Sequence, residues 1–227
     1  MVEPHCNLDL VKIKSDIVTI GNRVKSLDGQ VRSVEFYSEK EKTWTHHYLL
    51  IDNKIWNGSI SFIGKMYLIE WWIKSNNKII SSCYTYDINS DVWNKIADLN
   101  VARGFAACTV FEGKIVATGG YSYVHRELKS VEAYDYYERK WTYLPDMIKE
   151  RCNHAAVSMG NKLFVIGGLD NSSCEVFDDF SRKFIKLNSE IKISNQKTIF
   201  LCIQHWKWYC GVSCRLLKNS CLLIQCW

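Results

Sequence analysis

Ten cysteines and six histidines are the residues of this chain that could ligate a metal or act as nucleophile and base. The histidines are His5, His46, His47, His125, His154 and His205. No two of them stand at metal-ligand spacing with a carboxylate beside them, so neither zinc hydrolysis nor imidazole-based acid–base chemistry is indicated. His46-His47 follows Trp44 and reads as a surface pair at a strand end. Cys6, Cys83, Cys108, Cys152 and Cys174 are scattered, whereas Cys202, Cys210, Cys214, Cys221 and Cys226 crowd the C-terminal end. Structural zinc sites bring ligands in close pairs, and only Cys210 and Cys214 are that close. The sequence therefore predicts free thiols, with no catalytic residue, metal or cofactor. Glu3, His5 and Asp9 precede any apolar stretch, so no signal peptide is read that would favour a disulfide framework.

The other chemistry open to the chain is recognition, which rests on aromatic and arginine side chains. Aromatic residues make up 13% of the 227 residues, with nine Trp and twelve Tyr. Their spacing is periodic. Trp44, Trp93, Trp141 and Phe184 lie 49, 48 and 43 residues apart. Seven positions before each comes Tyr37, Tyr86, Tyr134 or Phe177, and four before those Ser33, Ser82, Ser130 or Ser173. Glu35, Glu132 and Glu175 stand two before their aromatics, and Tyr84 takes that place in the second copy. Upstream, Phe62-Ile63-Gly64-Lys65, Phe111-Glu112-Gly113-Lys114 and Met159-Gly160-Asn161-Lys162 occupy matching places. Apolar strands come next, and two of them end in Gly119-Gly120 and Gly167-Gly168. The first copy has Gly21-Asn22 there and the second Glu70-Trp71. Lys54, Arg103 and Arg151 open their copies.

Each copy must supply elements that hold these residues in place. In the third copy the pattern predicts strands over Phe105 to Phe111, Lys114 to Gly119, Ser130 to Asp135 and Lys140 to Leu144. Turns fall at Glu112-Gly113, in the polar run after Gly120 and at Tyr136 to Arg139. Proline is scarce at two, and aromatic and β-branched residues favour pleated surfaces. No sustained three- and four-residue apolar spacing supports helices. Four strands per repeat of this length fit a propeller blade, whose faces are covered only by stacking on neighbours. The first copy lacks an opening strand by this pattern, which leaves residues 1–14 as an N-terminal strand or remnant.

These residues resemble the kelch repeat: a double glycine after an apolar strand, then Tyr and Trp at fixed spacing, with Arg opening the next repeat. Arg103 through Trp141 match best, and the segment from Ser130 to Pro145 is similar to kelch-like proteins of animals. The resemblance implies an all-β, kelch-type β-propeller with four-stranded antiparallel blades. About four blades are visible, at 15–53, 54–100, 101–149 and 150–190, so the propeller is expected to be incomplete.

Kelch-like proteins build their substrate surface from the beginnings of inner strands and from the loop after the double glycine. Carried onto this chain, the inner-strand positions are Trp56, Phe105 and Asn153, with Arg103 and Arg151 two residues earlier. The loop positions are Asn22 and Arg23, then Tyr121 and Tyr123, then Leu169, Asp170 and Asn171. Aromatic and Arg side chains are the common interface hot spots. Arg103 and Arg151 also recur in register, as framework residues do. Tyr121, Tyr123 and His125 do not recur, as contact residues would not.

Charge narrows the partner classes. The formal charge is +5, and the five basic residues after Glu190, with no acid among them, account for all of it. Residues 1–190 are neutral, so no nucleic-acid face is indicated. No apolar run approaches the roughly 20 residues of a membrane span. The resemblance implies a non-enzymatic, cytoplasmic or cytoskeleton-associated interaction module that recognises the substrate of a cullin-based ubiquitin ligase. Cullin recruitment would need an upstream BTB domain, and residues 1–14 are too few for one. A stand-alone scaffold, such as an actin-binding kelch protein, is the alternative. Residues 191–227 break the repeat. They read as out-of-frame translation, a decayed blade or a small metal module on Cys202, His205, Cys210, Cys214 and Cys221.

Overall fold

The computed structural model describes residues 5–23, 32–48, 54–55, 58–69, 71–73, 78–190, 215–216 and 222–223. Every regular element among them is a β-strand. The chain divides into two compact units, Met1–Gly104 and Phe105–Trp227.

In the first unit, β1 (His5–Ile13), β2 (Asp16–Arg23), β3 (Arg32–Ser38) and β4 (Thr43–Tyr48) form one antiparallel sheet in chain order. The chain then runs through β5 (Lys54–Ile55), β6 (Gly58–Phe62), β7 (Lys65–Ile69), β8 (Trp71–Ile73), β9 (Lys78–Ile80), β10 (Cys83–Asp87) and β11 (Val92–Ile96). The second four-stranded sheet is β6-β7-β10-β11, and β5-β8-β9 make a small sheet of their own.

In the second unit, β12 (Ala107–Phe111) and β13 (Lys114–Thr118) come first, then β14 (Tyr121–Ser122) and β15 (Arg126–Glu127). β16 (Val131–Asp135) and β17 (Lys140–Leu144) complete a sheet of order β12-β13-β16-β17, and β14 and β15 pair with each other. The fourth sheet is β18 (Ala155–Met159), β19 (Lys162–Ile166), β20 (Ser173–Asp178) and β21 (Lys183–Glu190). In the tail, β22 (Arg215–Leu216) pairs with β23 (Leu222–Leu223). The all-β architecture of four-stranded antiparallel sheets is the one expected of propeller blades.

Local chemistry sets these hairpins. Glu112 and Gly113 both have positive φ (48° and 69°), as do Ile63 and Gly64 (48° and 68°). Two positive-φ residues make the two-residue turn whose twist matches that of the flanking strands. The opening strand of the first copy is β1. Its turn holds Ile13 opposite Asp16, with Lys14 at φ 56° and no glycine to mark the place. The first sheet therefore begins at His5, and residues 5–13 belong to it.

The seven-residue aromatic spacing is a register. Tyr37 faces Trp44, Tyr86 faces Trp93, Tyr134 faces Trp141, and Phe177 faces Phe184 across the last hairpin of each sheet. Ring centroids lie 5.1, 4.8, 5.3 and 5.2 Å apart. Directly opposed rings of this kind are the packing unit of a sheet. The residue after the first aromatic is Asp87, Asp135 or Asp178 in three copies, a further recurrence of the repeat. Asp135 Oδ1 accepts the N–H of Tyr137 and of Glu138, and its other oxygen pairs with Lys114 at 3.0 Å. Asp87 accepts the N–H of Asn89 and pairs with Lys65 at 3.2 Å. Backbone donors, then the lysine, hold both carboxyls below the ordinary range.

Each unit has its own core. Val11, Ile13, Val18 and Phe36 of the first sheet pack with Met66, Leu68 and Tyr86 of the second. In the other unit Phe111, Val116 and Val131 meet Leu163, Val165 and Phe177. Complete burial of one such ring, Phe177, contributes about 1.5–3 kcal/mol.

Candidate functional site

The loop end of the second unit is built around one buried arginine. Arg151 is fully buried, in the segment joining β17 to β18. Its Nη1 donates to the carbonyls of Gly167 (2.6 Å) and Ser173 (3.0 Å). Its Nη2 donates to Ser173 Oγ at 3.2 Å and pairs with the Glu175 carboxylate. Glu175 is 1% exposed and also accepts the N–H groups of Ile148 (2.7 Å) and Lys149 (3.1 Å). A buried ion pair stands only when its other hydrogen-bonding groups are largely matched, and here the carbonyls of Gly167 and Ser173 and the N–H groups of Ile148 and Lys149 match most of them, leaving the Arg151 Nε as the buried donor without a partner.

The double glycines let two loops close on the same segment. Gly120 donates its N–H to the Arg151 carbonyl, and Leu169 donates to the Cys152 carbonyl, both at 2.9 Å. A Cβ on Gly119, which has φ 58°, would lie 2.5 Å from the Arg151 carbonyl oxygen and 2.8 Å from His154 Cε1. A Cβ on Gly168 would meet the Cys152 carbonyl oxygen at 3.1 Å. Only glycine permits that approach. The loop after β13 is also tied at its base: Leu128 donates to Gly120, and Arg151 donates to Leu128.

Beyond this base, residues 121–127 fold back as the hairpin of β14 and β15, where the sequence suggests only a polar turn. Tyr121 pairs with Glu127 and Ser122 with Arg126. The rings of Tyr121 and Tyr123 meet edge to face at 6.1 Å. Arg126 Nη1 donates to the Tyr121 hydroxyl at 3.1 Å. Tyr123 is 50% and Val124 83% exposed, so the tip presents apolar surface to solvent.

Cys152 links this hairpin to the framework. Its thiol is buried and donates to the Glu127 carboxylate at 3.2 Å. Burial, then Glu127 and Asp170, push the thiol up to about 12 from its ordinary 9.0. At neutral pH it is a neutral hydrogen-bond donor and a poor nucleophile. Among the described residues no group of His, Cys, Asp and Glu side chains could hold a metal ion.

The sites expected from the sequence fall in three groups. Arg103 and Arg151 are both fully buried, which corrects their placement on a contact surface: a guanidinium enclosed by the framework offers nothing to a partner. Phe105 and Asn153 are half-buried and brought together, with the Asn153 N–H donating to the Phe105 carbonyl at 2.8 Å. Both have positive φ, 58° and 51°. Tyr121, Tyr123, Asp170 and Asn171 reach the surface of the same unit to differing degrees. Asn171 is partly committed, since its Oδ1 accepts from the N–H (3.0 Å) and hydroxyl (2.7 Å) of Ser173. Trp56 lies outside the described residues. Val124, Arg126 and Glu127 belong to the Tyr121 to Glu127 loop that the sequence points to as a contact element, whereas Cys152 joins the site without having been singled out by repeat or motif. The place of Cys152 between Arg151 and Asn153 was the available signal for it.

The kelch motif matches residues 102–148 and 150–188, the two copies that carry the double glycines. An F-box/kelch-repeat protein of Arabidopsis thaliana is 32% identical over 110 residues, 48% of this chain and 29% of that protein. Alpha-scruin of Limulus polyphemus is 32% identical over 99 residues, 42% of this chain and 11% of its own length. Kelch-like protein 41b of Danio rerio is 25% identical over 168 residues, 74% of this chain and 27% of its own. The chain thus spans less than a third of the length of these relatives.

Proposed function

We propose that this chain, whose residues 102–148 and 150–188 are kelch motifs, is a protein-interaction module that binds through the loop end of its second unit. The observation that carries the reading is a division of labour within one loop cluster. Arg151, Glu175 and the glycine pairs make a buried, rigid base. Tyr123, Val124, Leu169 and Asp170 project from it into solvent. Contact residues on loops held by a rigid scaffold are the usual form of a recognition surface. The finer assignment is substrate recognition for a cullin-based ubiquitin ligase, supported by the kelch-like relatives. In that role a protein substrate docks on these loops, and cullin is engaged only through a BTB domain joined to the propeller. The module works in the cytoplasm and needs no catalytic group of its own.

The test is affinity capture from cell extract with the full chain as bait, scored by quantitative mass spectrometry. The combined Tyr121→Ala and Tyr123→Ala variant is compared with Tyr137→Ala, a residue 86% exposed in the turn between β16 and β17. Loss of specific partners from the first variant alone is the expected result. Equal capture by both refutes the assignment of the surface. Co-sedimentation with purified actin filaments tests the alternative, a filament-binding scaffold in the cytoskeleton.

A further inference from the structure

We infer that Tyr121 is a phosphorylation site, with Arg126 as the built-in acceptor of the phosphate, and that its modification stiffens the Tyr121–Glu127 hairpin. The inference rests on the reading of that hairpin as contact surface and adds a means of regulating it. The Tyr121 hydroxyl already lies 3.1 Å from Arg126 Nη1, so a group on that oxygen would sit against a guanidinium. Arg126 is exposed, and among the described residues no carboxylate lies within ion-pair distance of it. The one acid at the hairpin base, Glu127, accepts from Cys152 instead. The cation at this loop is therefore matched only by a neutral phenol.

Phosphorylation would change that balance. A phosphotyrosine carries about −1.5 to −2 charge and three strong acceptor oxygens. A guanidinium can meet a phosphate with two parallel hydrogen bonds, each stronger than its present bond to a phenol. The step is an ordinary phosphoryl transfer from ATP by a tyrosine kinase. The phenol oxygen forms a bond to the γ-phosphorus, the bridging P–O bond to ADP breaks, and the phenolic proton passes to the kinase's base. A kinase reaches the tyrosine by opening a short ladder. The ladder has two pairs, Tyr121–Glu127 and Ser122–Arg126, closed by the His125 N–H on Ser122 Oγ at 2.9 Å, and Tyr123, Val124 and His125 between them are exposed. Short ladders with few buried contacts open at low cost. Once modified, the Tyr121–Glu127 hairpin, whose Arg126 and Glu127 balance in formal charge, becomes a net negative element, which would alter what it can bind.

The experiment treats the full chain with a Src-family kinase domain and Mg-ATP, beside a control peptide, and maps phosphate by mass spectrometry. Hydrogen exchange of residues 122–127 is then compared with and without modification. Phosphate on Tyr121 and exchange slowed about tenfold, the worth of a charge-assisted bond over a neutral one, are expected. Arg126→Gln should accept phosphate at Tyr121 yet lose the slowing, and Tyr121→Phe should show neither effect. An unmodified Tyr121 after the control peptide is fully phosphorylated overturns the inference. So does a modified Tyr121 whose exchange is unchanged, or is slowed equally in Arg126→Gln. No binding partner enters the measurement, so its failure would leave the interaction surface to stand or fall on affinity capture.

Discussion

The two units share a sheet plan and differ in the loops that leave their second strands. In the second unit β13 and β19 end in double glycines, and both loops close on Arg151 and Cys152. In the first unit the corresponding places hold Gly21-Asn22 and Glu70-Trp71. There β8 and β9 extend instead into a three-stranded sheet with β5. The losses are correlated in the second copy: Lys54 stands for the arginine, Tyr84 for the glutamate, and the glycines are gone. The aromatic cross-strand pair, by contrast, is present in each of the four four-stranded sheets. The comparison teaches that the aromatic pair makes a blade, whereas the Gly-Gly, Arg and Glu set makes a particular loop end.

The largest effect that sharpens this contrast is expected from Arg151→Met. It leaves the Glu175 carboxylate buried without its cation, and should cost about 3–5 kcal/mol in urea denaturation of the chain. Lys54→Met, in the copy where tyrosine replaces the glutamate, should cost far less. Equal losses would break the comparison.

Glycine substitutions come next. Gly119→Ala forces a Cβ against the Arg151 carbonyl in a left-handed conformation and should cost roughly 2–4 kcal/mol. Gly64→Ala and Gly113→Ala have the same sign of φ but open space around the added atom. Each should cost only about 1–2 kcal/mol, whichever unit it belongs to. Thermal or chemical melts of the three variants give the ranking.

Alkaline pH probes the link between hairpin and framework. The Cys152 thiol stays protonated in the fold up to about 12, whereas the unfolded thiol ionises near 9.0. Its contribution to stability is therefore complete below pH 9 and is lost progressively as pH rises to about 12. Tyr86 in the first unit is also raised, by burial and by Asp91, and adds its own loss only above pH 10. Cys152→Ala should lessen the loss between about pH 9 and 10, leaving the part that the Cys174 thiol, also raised by burial, contributes there and the steeper loss above it. An unchanged profile would show that the thiol does not fasten the loop.

The smallest effect tests what the units share. Double-mutant cycles on Tyr86 with Trp93 and on Tyr134 with Trp141, each residue replaced by Leu, should give similar coupling of about 0.5–1.5 kcal/mol. A coupling confined to the second unit would mean that the pair belongs to the loop-end device after all.

Much of the fold is legible because its rules are local. Tyr134 and Trp141 face each other across one short turn, so a spacing of seven states a register that any reader of the chain can count. Where a local marker is absent the pattern gives no strand: β1 goes unmarked because Lys14 and Ser15 make its turn without glycine. The site is less legible. Arg151 was named for contact and is fully buried while Tyr123 is half exposed, and sequence position alone does not say which way a side chain turns.

The order of strands, the aromatic pairs and the glycine turns were thus determined by the sequence itself, through interactions between residues a few positions apart. Three things were decided only by the tertiary structure. Arg151 turns inward because Glu175, 24 residues on, and the carbonyls of Gly167 and Ser173 are gathered around it. Cys152 becomes a fastening because Glu127, 25 residues earlier, is folded back to it. The exposure of Tyr123 and Val124 comes from the hairpin that those buried contacts anchor. Burial of charge and convergence of distant loops depend on the assembled core, and no spacing along the chain encodes them one residue at a time.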